Sequence, residues 1–385
     1  MASESPIIIV GSGLAGYNVA REFRKLNKEK ELIIIADDAA DFYSKPMLSN
    51  ALDKKKTAAD LAMFDAEKMA GDLNAKILKH TRVEKIDPSK QTVQTHGNDL
   101  FHYSHLVLAT GSSCISIPFE GNATDKILSV NDLADYAAFR KAIEGKKSVA
   151  IIGAGLIGCE FANDLVLADY DASVIDLSEL PLARLLPEQA GQYVKQALSK
   201  QGVKWCLGQK TKSIQYNNEM FTIEFDDGST ITADVVLSAV GLIPNTQLCQ
   251  DANIAVNQGI VVNQQLMTSD KNIFALGDCA EVEGLFLPYV MPLMNCARAI
   301  AKSLNGELTS VSYPAMPVMV KTPSCPVVVV RPRRDAKGEW AVVESDDGVQ
   351  ATFTDEAGKL KGYALVGKAV EEKQRLTKEL PLLLP

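Results

Sequence analysis

Two short glycine motifs stand out among the residues whose type and spacing could bind a ligand. Both follow the pattern G-x-G-x-x-G, first at positions 11–16 and again at positions 153–158. In a turn that joins a strand to a helix, this spacing lets the backbone approach a pyrophosphate and places the anion on the amino end of the helix. A plain glycine turn is the alternative, so the motif needs support from the elements around it.

The segments around the first motif have the pattern of a strand, a helix and a second strand. The apolar run Ile7–Val10 precedes it, a helical stretch follows to Leu26, and a second apolar run, Leu32–Ile35, ends at Asp37 and Asp38. A carboxylate in this place can accept hydrogen bonds from a ribose hydroxyl. The predicted ligand-binding residues of this turn are Gly11, Ser12, Gly13, Leu14, Ala15 and Gly16.

The second motif repeats this organisation. It lies between the apolar run Ser148–Ile152 and a helical stretch to about Leu167, and a second strand at 172–175 ends at Asp176. Each copy is therefore predicted to be a βαβ unit that binds a dinucleotide. The predicted residues of this turn are Gly153, Gly155, Leu156, Ile157 and Gly158.

Length and composition limit the classes of protein that are possible. The chain has 385 residues, 46% of them hydrophobic, which is enough for two or three packed cores. A formal charge of −8 argues against a nucleic-acid partner, because phosphates require a basic surface. No apolar stretch reaches the roughly 20 residues of a membrane span, and residues 1–6 lack the pattern of a signal peptide. We therefore expect a cytoplasmic protein without a membrane span.

The cysteines do not form a redox or metal motif. The seven cysteines are scattered along the chain, with no C-x-x-C or zinc-like spacing. Buried, reduced thiols are the expected state, and no metal site is predicted.

Further motifs make the chain resemble a known flavoprotein family with two dinucleotide-binding units, which includes glutathione reductase and the oxygenase-coupled ferredoxin reductases. They are Leu-Val-Leu-Ala-Thr-Gly at 106–111, Ala-Val-Gly-Leu-Ile-Pro-Asn at 239–245 and Ile-Phe-Ala-Leu-Gly-Asp-Cys-Ala at 273–280. Together with the glycine motifs they cover the whole chain. The resemblance implies that the first unit binds FAD and the second binds a nicotinamide nucleotide.

The family also implies the fold and the division into domains. We expect an α/β protein with two Rossmann-like dinucleotide-binding domains, arranged as in glutathione reductase, and a small α+β C-terminal domain. The predicted FAD-binding domain is discontinuous and comprises residues 1–115 and 245–316. The predicted NAD-binding domain comprises residues 116–244, and the small domain comprises residues 317–385.

Several further site residues follow from the resemblance. Asp278 is expected to bind the ribityl chain of FAD, and either Asp37 or Asp38 its adenosine ribose. Glu160 is expected near the nicotinamide. A helix that begins close to Pro288 is expected to direct the free backbone amides of Val290, Met291 or Leu293 at the flavin. The remaining predicted contacts are Thr110, Gly111 and Gly277 for FAD and Gly241 for NAD.

Asp176 also indicates which nicotinamide nucleotide is used. A carboxylate accepts hydrogen bonds from the 2′-hydroxyl of NADH and repels the 2′-phosphate of NADPH. No arginine stands immediately beside Asp176. We therefore predict a preference for NADH.

The absence of a cysteine close to the predicted flavin narrows the electron acceptor. Disulfide reductases of this family need a pair of thiols, and the related NADH oxidases need a single cysteine, whereas this chain has none before Cys114. Instead, the segment 42–49 resembles the Y-x-R-P-P-L-S motif of the ferredoxin- and rubredoxin-reductase branch, with Lys45 and Met47 at two of its positions.

This branch implies a reaction. We expect hydride transfer from NADH to FAD, followed by single-electron transfers to rubredoxin, which would supply an alkane monooxygenase. A ferredoxin or flavorubredoxin reductase, or a signalling flavoprotein that NADH reduces slowly, are the alternatives. The expected oligomeric state is a monomer. No residue is assigned as a general acid or base, because the flavin supplies the chemistry.

Two lysines have open roles in this scheme. Lys45 and Lys321 could lie against the flavin and stabilise its reduced, anionic form, or they could dock an acidic carrier protein. Arg331, Arg333 and Arg334 are further docking candidates.

Overall fold

A computed structural model describes residues 5–333 and 335–385, so that Arg334 lies outside the described residues. The first part of the chain contains β1 (Ile7–Val10), α1 (Leu14–Leu26), β2 (Leu32–Ile35), β3 (Phe42–Tyr43), a 3₁₀ helix (Lys45–Asn50), α2 (Ala58–Leu61), β4 (Ala62–Phe64), α3 (Ala66–Leu73), β5 (Lys76–Leu78), β6 (Val83–Asp87), β7 (Thr92–Thr95), β8 (Leu100–His102), β9 (His105–Leu108) and β10 (Ser112–Cys114).

The middle part contains β11 (Glu120–Gly121), a 3₁₀ helix (Thr124–Lys126), α4 (Leu133–Ile143), β12 (Ser148–Ile152), α5 (Leu156–Leu167), β13 (Asp171–Asp176), α6 (Glu188–Lys200), β14 (Lys204–Leu207), β15 (Thr211–Asn217), β16 (Met220–Phe225), β17 (Thr230–Ala233), β18 (Val235–Ser238) and β19 (Leu242–Pro244). The last part contains α7 (Gln247–Asp251), β20 (Ile260–Val262), β21 (Ile273–Ala275), a 3₁₀ helix (Gly277–Cys279), β22 (Ala280–Val282), α8 (Val290–Leu304), β23 (Val318–Val320), β24 (Val327–Val330), β25 (Glu339–Ser345), β26 (Gly348–Thr354), β27 (Leu360–Gly367), a 3₁₀ helix (Lys368–Glu372) and α9 (Lys373–Glu379).

The first parallel sheet combines strands from distant parts of the chain. Its strand order is β21-β9-β1-β2-β5, and every residue of β1 and β2 is buried, as expected for a parallel sheet with both faces covered. Ile273 pairs with Leu106, so the chain returns to this sheet after its middle part. The first sheet therefore joins parts of the chain that are separated in sequence. The exact domain boundaries stay predictions.

The second parallel sheet has the order β14-β13-β12-β18 and repeats the first βαβ unit. Beside it lies a smaller sheet, β11-β15-β16-β17, in which β16 and β17 pair as antiparallel strands. The two predicted dinucleotide-binding units are thus both present, each with its glycine turn between the first strand and the first helix. This confirms the predicted α/β fold class.

Two antiparallel strands connect these units. β10 carries the chain out of the first unit and β19 carries it back, and Ser112 pairs with Pro244. Asn245 closes the end of this ribbon, because its side-chain amide donates to the Thr110 carbonyl at 2.8 Å and its carbonyl accepts from the Thr110 hydroxyl at 2.9 Å. The link between β9 and β10 is thereby bound to the residue that follows β19.

The C-terminal domain is an antiparallel sheet with the order β23-β24-β27-β26-β25, followed by α9. Buried valines of this sheet, including Val327, Val329 and Val366, share one apolar cluster with Phe161 and Leu165 of α5. The C-terminal sheet therefore packs on the second unit. In the part of the chain that the structure describes, no helix has the length and apolar character needed to cross a membrane.

Candidate active site

A cleft of about 2470 Å³ lies where the two parallel-sheet units and the C-terminal domain meet. Both glycine turns line it. Ordinary ligand pockets hold about 300–1,000 Å³, so this cleft has room for more than one large ligand. Two dinucleotides bound at the two turns would share one space.

The first glycine turn has the geometry of a pyrophosphate cradle. Gly11 has φ +108°, and a Cβ there would lie 2.2 Å from the Ala109 carbonyl oxygen. A Cβ at Gly16 would lie 1.9 Å from the Gly11 carbonyl oxygen, whereas nothing lies within 4 Å of one at Gly13. Two glycines therefore allow close backbone packing, and the third faces open space at the start of α1, where no side chain caps the helix.

The second turn repeats this geometry position by position. A Cβ at Gly153 would lie 2.6 Å from the Ala239 carbonyl oxygen, one at Gly158 would lie 1.8 Å from the Gly153 carbonyl oxygen, and one at Gly155 meets nothing within 4 Å. No side chain caps α5 either. Both turns therefore fit the phosphates of a dinucleotide. Leu14, Ala15, Leu156 and Ile157 of the two turns also line the cleft.

Asp37 and Asp38 differ in their hydrogen bonds. Asp38 accepts from the Ser12 hydroxyl at 3.0 Å and from the Ala40 backbone amide at 2.9 Å. Asp37 lines the cleft, is exposed, and has no bonding partner among the described residues. Of these two carboxylates, only that of Asp37 is wholly available to a ligand.

Asp176 ends β13 with its carboxylate held in place. One oxygen accepts from the backbone amide of Ala154 at 2.6 Å, and the other accepts from that of Ser178 at 2.7 Å. The next residue, Leu177, is 70% exposed and lines the cleft. The cleft therefore presents a fixed carboxylate and an apolar neighbour here. Gly241 lines the cleft near the crossing strands, with φ +123°.

Asp278 lies in the 3₁₀ helix that follows β21. Its carboxylate accepts from the Ser112 hydroxyl at 3.1 Å and lies 3.5 Å from the Lys45 ammonium nitrogen. Gly277 precedes it with φ +80°, and a Cβ there would lie 3.0 Å from that of Ala15. Asp278 is thus brought beside the first glycine turn and beside Lys45, which lie far apart in the sequence.

The amino end of α8 opens into the same cleft. Tyr289 precedes the helix, and the backbone amides of Val290 and Met291 have no acceptor within the described residues. Leu293, which was predicted together with them, donates its amide to the Tyr289 carbonyl at 3.4 Å. Val290 and Met291 are therefore the free donors of this helix end.

Glu160 forms the centre of a buried polar cluster with Ser49 and Lys321. It is 1% exposed, and one carboxylate oxygen accepts from both the Ser49 hydroxyl and the Lys321 ammonium group. Its other oxygen accepts from the Lys321 backbone amide at 2.8 Å. The ammonium group also donates to the Ser49 hydroxyl at 3.3 Å. Residues from all three parts of the chain meet at one carboxylate.

Sequence reasoning missed two polar residues of this site, Ser49 and Ser112. Both had a signal, because Ser49 ends the motif that begins at Tyr43 and Ser112 directly follows Thr110 and Gly111. Neither position revealed its partner, since Glu160 and Asp278 come from distant segments.

The cysteines agree with the prediction of free thiols. All seven lie within the described residues and none forms a disulfide. Burial raises the pKa of the Cys114 thiol, which lines the cleft, and this disfavours a reactive thiolate. Nor do the described residues contain a cluster of three side chains that could bind a metal ion.

Comparison with known proteins shows the family to which the chain belongs. The model of the pyridine nucleotide-disulphide oxidoreductase family matches residues 5–302, and that of the rubredoxin binding C-terminal domain matches residues 310–380. A rubredoxin-NAD(+) reductase of Alcanivorax borkumensis is 48% identical, with 99% of this chain and 100% of that protein covered. A nitric oxide reductase FlRd-NAD(+) reductase of Vibrio vulnificus is 36% identical, with 97% and 98% covered.

Among solved structures, a ferredoxin reductase from Rhodopseudomonas palustris has a TM-score of 0.88 at 26% identity, with 98% of this chain and 95% of that chain covered. Such coverage leaves no large part of the fold unmatched. These findings confirm the resemblance on which the sequence prediction was based. The chain belongs to the pyridine nucleotide-disulphide oxidoreductase family, and its relatives there include rubredoxin-NAD(+) reductases.

Proposed function

We propose that this chain is an FAD-containing reductase that takes electrons from NADH and delivers them one at a time to rubredoxin. The observation that carries the proposal is the shared cleft, which both dinucleotide turns line together with the C-terminal domain. The C-terminal domain is also the part that matches the rubredoxin-binding model. Donor site and carrier site thus adjoin the same cavity.

The first unit holds FAD in this proposal. The turn at 11–16 binds its pyrophosphate, and Asp37 binds the adenosine ribose because Asp38 is engaged by Ser12 and Ala40. Asp278 binds the ribityl chain, with Ser112 and Lys45 holding its carboxylate in place. Thr110 and Gly111 also line this part of the cleft. Gly277 directly precedes Asp278, and a Cβ there would lie 3.0 Å from that of Ala15.

The second unit holds NADH. The turn at 153–158 binds its pyrophosphate, and Asp176 accepts hydrogen bonds from its ribose. Glu160 and Gly241 line the cleft between this turn and the proposed flavin site. When bound, FAD accepts a hydride equivalent from NADH and releases its electrons singly, and this is chemistry that the side chains alone cannot provide.

The residues around the predicted flavin supply charge and orientation. The free amides of Val290 and Met291, at the positive end of α8, stabilise negative charge. Lys45 and Lys321 are both paired with carboxylates, of Asp278 and Glu160. Because these partners compensate their charges, we assign the two lysines to the flavin environment rather than to docking.

The outer rim of the cleft is better suited to binding a carrier protein. Val290, Met291, Met319 and Leu382 are exposed apolar residues there, and Met319 is 57% exposed. Cations lie beside these apolar residues: Arg331, Lys337 and Lys373 also line the cleft, and among the described residues they have no carboxylate partner. Arg333, in contrast, lies 3.3 Å from Asp335. Apolar contacts with uncompensated cations beside them suit a small acidic carrier such as rubredoxin.

A flavorubredoxin is the second candidate acceptor, because the Vibrio vulnificus relative aligns over nearly the whole chain.

We further propose that reduced rubredoxin supplies an alkane monooxygenase and that the protein acts in the cytoplasm. Coupled NADH and alkane consumption in a mixture of reductase, rubredoxin and monooxygenase would test this pathway. Consumption of alkane without added rubredoxin would count against it.

The central test is stopped-flow reoxidation of the NADH-reduced protein by rubredoxin, a flavorubredoxin, ferredoxin and oxygen, compared side by side. We expect rubredoxin to be fastest, because it is small, acidic and suited to the rim described above. Faster reoxidation by a flavorubredoxin would identify the second candidate. Fast reoxidation by oxygen alone would overturn the carrier assignment.

A second prediction concerns the nicotinamide nucleotide. We expect NADH to exceed NADPH in the efficiency of flavin reduction by about tenfold or more, which corresponds to about 1.4 kcal/mol. The reason is that the fixed Asp176 carboxylate repels a 2′-phosphate. Reduction kinetics over a range of both nucleotides measure the ratio, and equal efficiencies would contradict the role given to Asp176.

A third prediction tests the docking rim. Arg331→Glu should slow rubredoxin reduction about tenfold at low salt, because the variant repels an acidic carrier. The effect should shrink as salt rises, since the Debye length falls to about 8 Å at physiological ionic strength. Association rate constants at several salt concentrations measure it.

The matched control for that variant is Arg82→Glu, which reverses an exposed arginine outside the cleft and should leave the rubredoxin rate unchanged. Ferricyanide is the comparison acceptor, because a small anion needs no protein docking surface. Equal slowing with rubredoxin and ferricyanide would show that Arg331 affects the flavin and not the docking of the carrier.

A further inference from the structure

Three polar side chains of α5 are buried, and all three bind residues outside their own βαβ unit. Glu160, Asn163 and Asp164 are 1%, 0% and 3% exposed. Residues three and four positions apart lie on the same side of a helix, so these groups face their partners together. Buried polar groups of this kind are costly unless they are hydrogen-bonded. Their partners therefore indicate what the helix holds.

Asp164 binds the backbone that directly follows the 3₁₀ helix Lys45–Asn50. One carboxylate oxygen accepts from the Leu52 amide at 2.8 Å, and the other accepts from the Asp53 amide at 3.1 Å. One turn earlier on α5, Glu160 accepts from the Ser49 hydroxyl. The two carboxylates of α5 therefore fix both ends of the segment 49–53.

Asn163 binds a different segment. Its side-chain oxygen accepts from the Ser324 backbone amide at 3.2 Å, while Glu160 binds both the backbone and the ammonium group of Lys321. Thus Asn163 binds only the segment of Lys321, Asp164 binds only the segment of Ser49, and Glu160 binds both. A change at Asp164 removes none of the contacts between Lys321 and Glu160.

We propose that Asp164 is a positioning residue for flavin reduction. It fixes the segment that carries Lys45 and Ser49 against α5, and so sets where these side chains stand relative to Glu160 and Asp278. The inference rests on the proposed function to the extent that FAD and NADH meet in this cleft. Asp164 itself does not line the cleft, so it acts through the segment that it holds.

The electrostatics of Asp164 agree with a role that requires both carboxylate oxygens. Burial raises the pKa of its carboxyl group, while the amides of Leu52 and Asp53 oppose the increase. Leu52 is itself buried in the apolar cluster that contains Phe161. Without Asp164, two adjacent amides would lose their acceptors in a place where apolar packing limits the access of water.

The test is Asp164→Asn, which keeps the size of the side chain but replaces one oxygen with an NH₂ group that must face a backbone amide. We expect the rate constant of flavin reduction at saturating NADH to fall about tenfold, because small displacements of positioning groups are costly. The dissociation constant of NADH should remain nearly constant. The visible absorption band of the oxidised flavin should shift, and the amides of residues 49–53 should exchange hydrogen faster, with or without FAD.

Asp234→Asn is the matched control. The Asp234 carboxylate also accepts from two consecutive backbone amides, those of Lys147 at 3.1 Å and Ser148 at 2.8 Å, but it lies outside the cleft. This variant should lower the melting temperature without changing the flavin spectrum or the rate of reduction. If Asp164→Asn slows reduction no more than Asp234→Asn does, Asp164 has only a structural role and the proposal is wrong.

Ser49→Ala provides a second route should Asp164→Asn fail to fold. It removes the hydroxyl group that ties the other end of the same segment to Glu160, so flavin reduction should slow and the spectrum should shift in the same direction. An unchanged rate would overturn the proposal. These assays contain no rubredoxin. Failure of the unaltered protein to be reduced by NADH would count against the proposed function, and normal reduction of the variants would count only against this inference.

Discussion

The buried carboxylate of Glu160 is the interaction on which the arrangement of this site depends. It lies at the junction of three parts of the chain and binds Ser49 from the first and Lys321 from the last. Removing one partner of a buried ion pair typically costs about 3–5 kcal/mol, because the remaining charge is left without compensation. Close approach of these segments is therefore a condition for burying the carboxylate at all.

The surrounding structure meets this condition with apolar packing on one side and polar contacts on the other. Valines of the C-terminal sheet and Leu165 of α5 belong to one core, so the Lys321 segment is carried on a surface that packs firmly on the second unit. The first unit approaches α5 through hydrogen bonds from Ser49, Leu52 and Asp53, and through the Leu52 side chain, which is buried in the same core. The C-terminal domain is thus attached to α5 by apolar packing, and hydrogen bonds attach the segment 49–53 to the same helix next to the cleft.

Charge is distributed by depth in the cleft. Lys45 and Lys321 lie inside and are compensated by Asp278 and Glu160, whereas Arg331 and Lys373 lie on the rim without carboxylate partners among the described residues. In the proposed function, the inner cations favour the reduced form of the flavin, while the cations on the rim attract a protein that arrives from solution. This separation reconciles an acidic chain with an acidic carrier.

The amino-acid sequence by itself determined what depends on neighbours along the chain. The glycine spacings at 11–16 and 153–158 specify two strand-to-helix turns, because only glycine fits where a Cβ would meet a backbone oxygen at about 2 Å. Family motifs extended this to FAD, NADH and the C-terminal domain. The different hydrogen bonds of Asp37 and Asp38, the pairing of Lys321 with Glu160 and the contacts of Asp164 were decided only by the tertiary structure. In each case a polar group bonds a partner that lies more than twenty residues away in the sequence. A local sequence pattern does not show which distant residue that partner is.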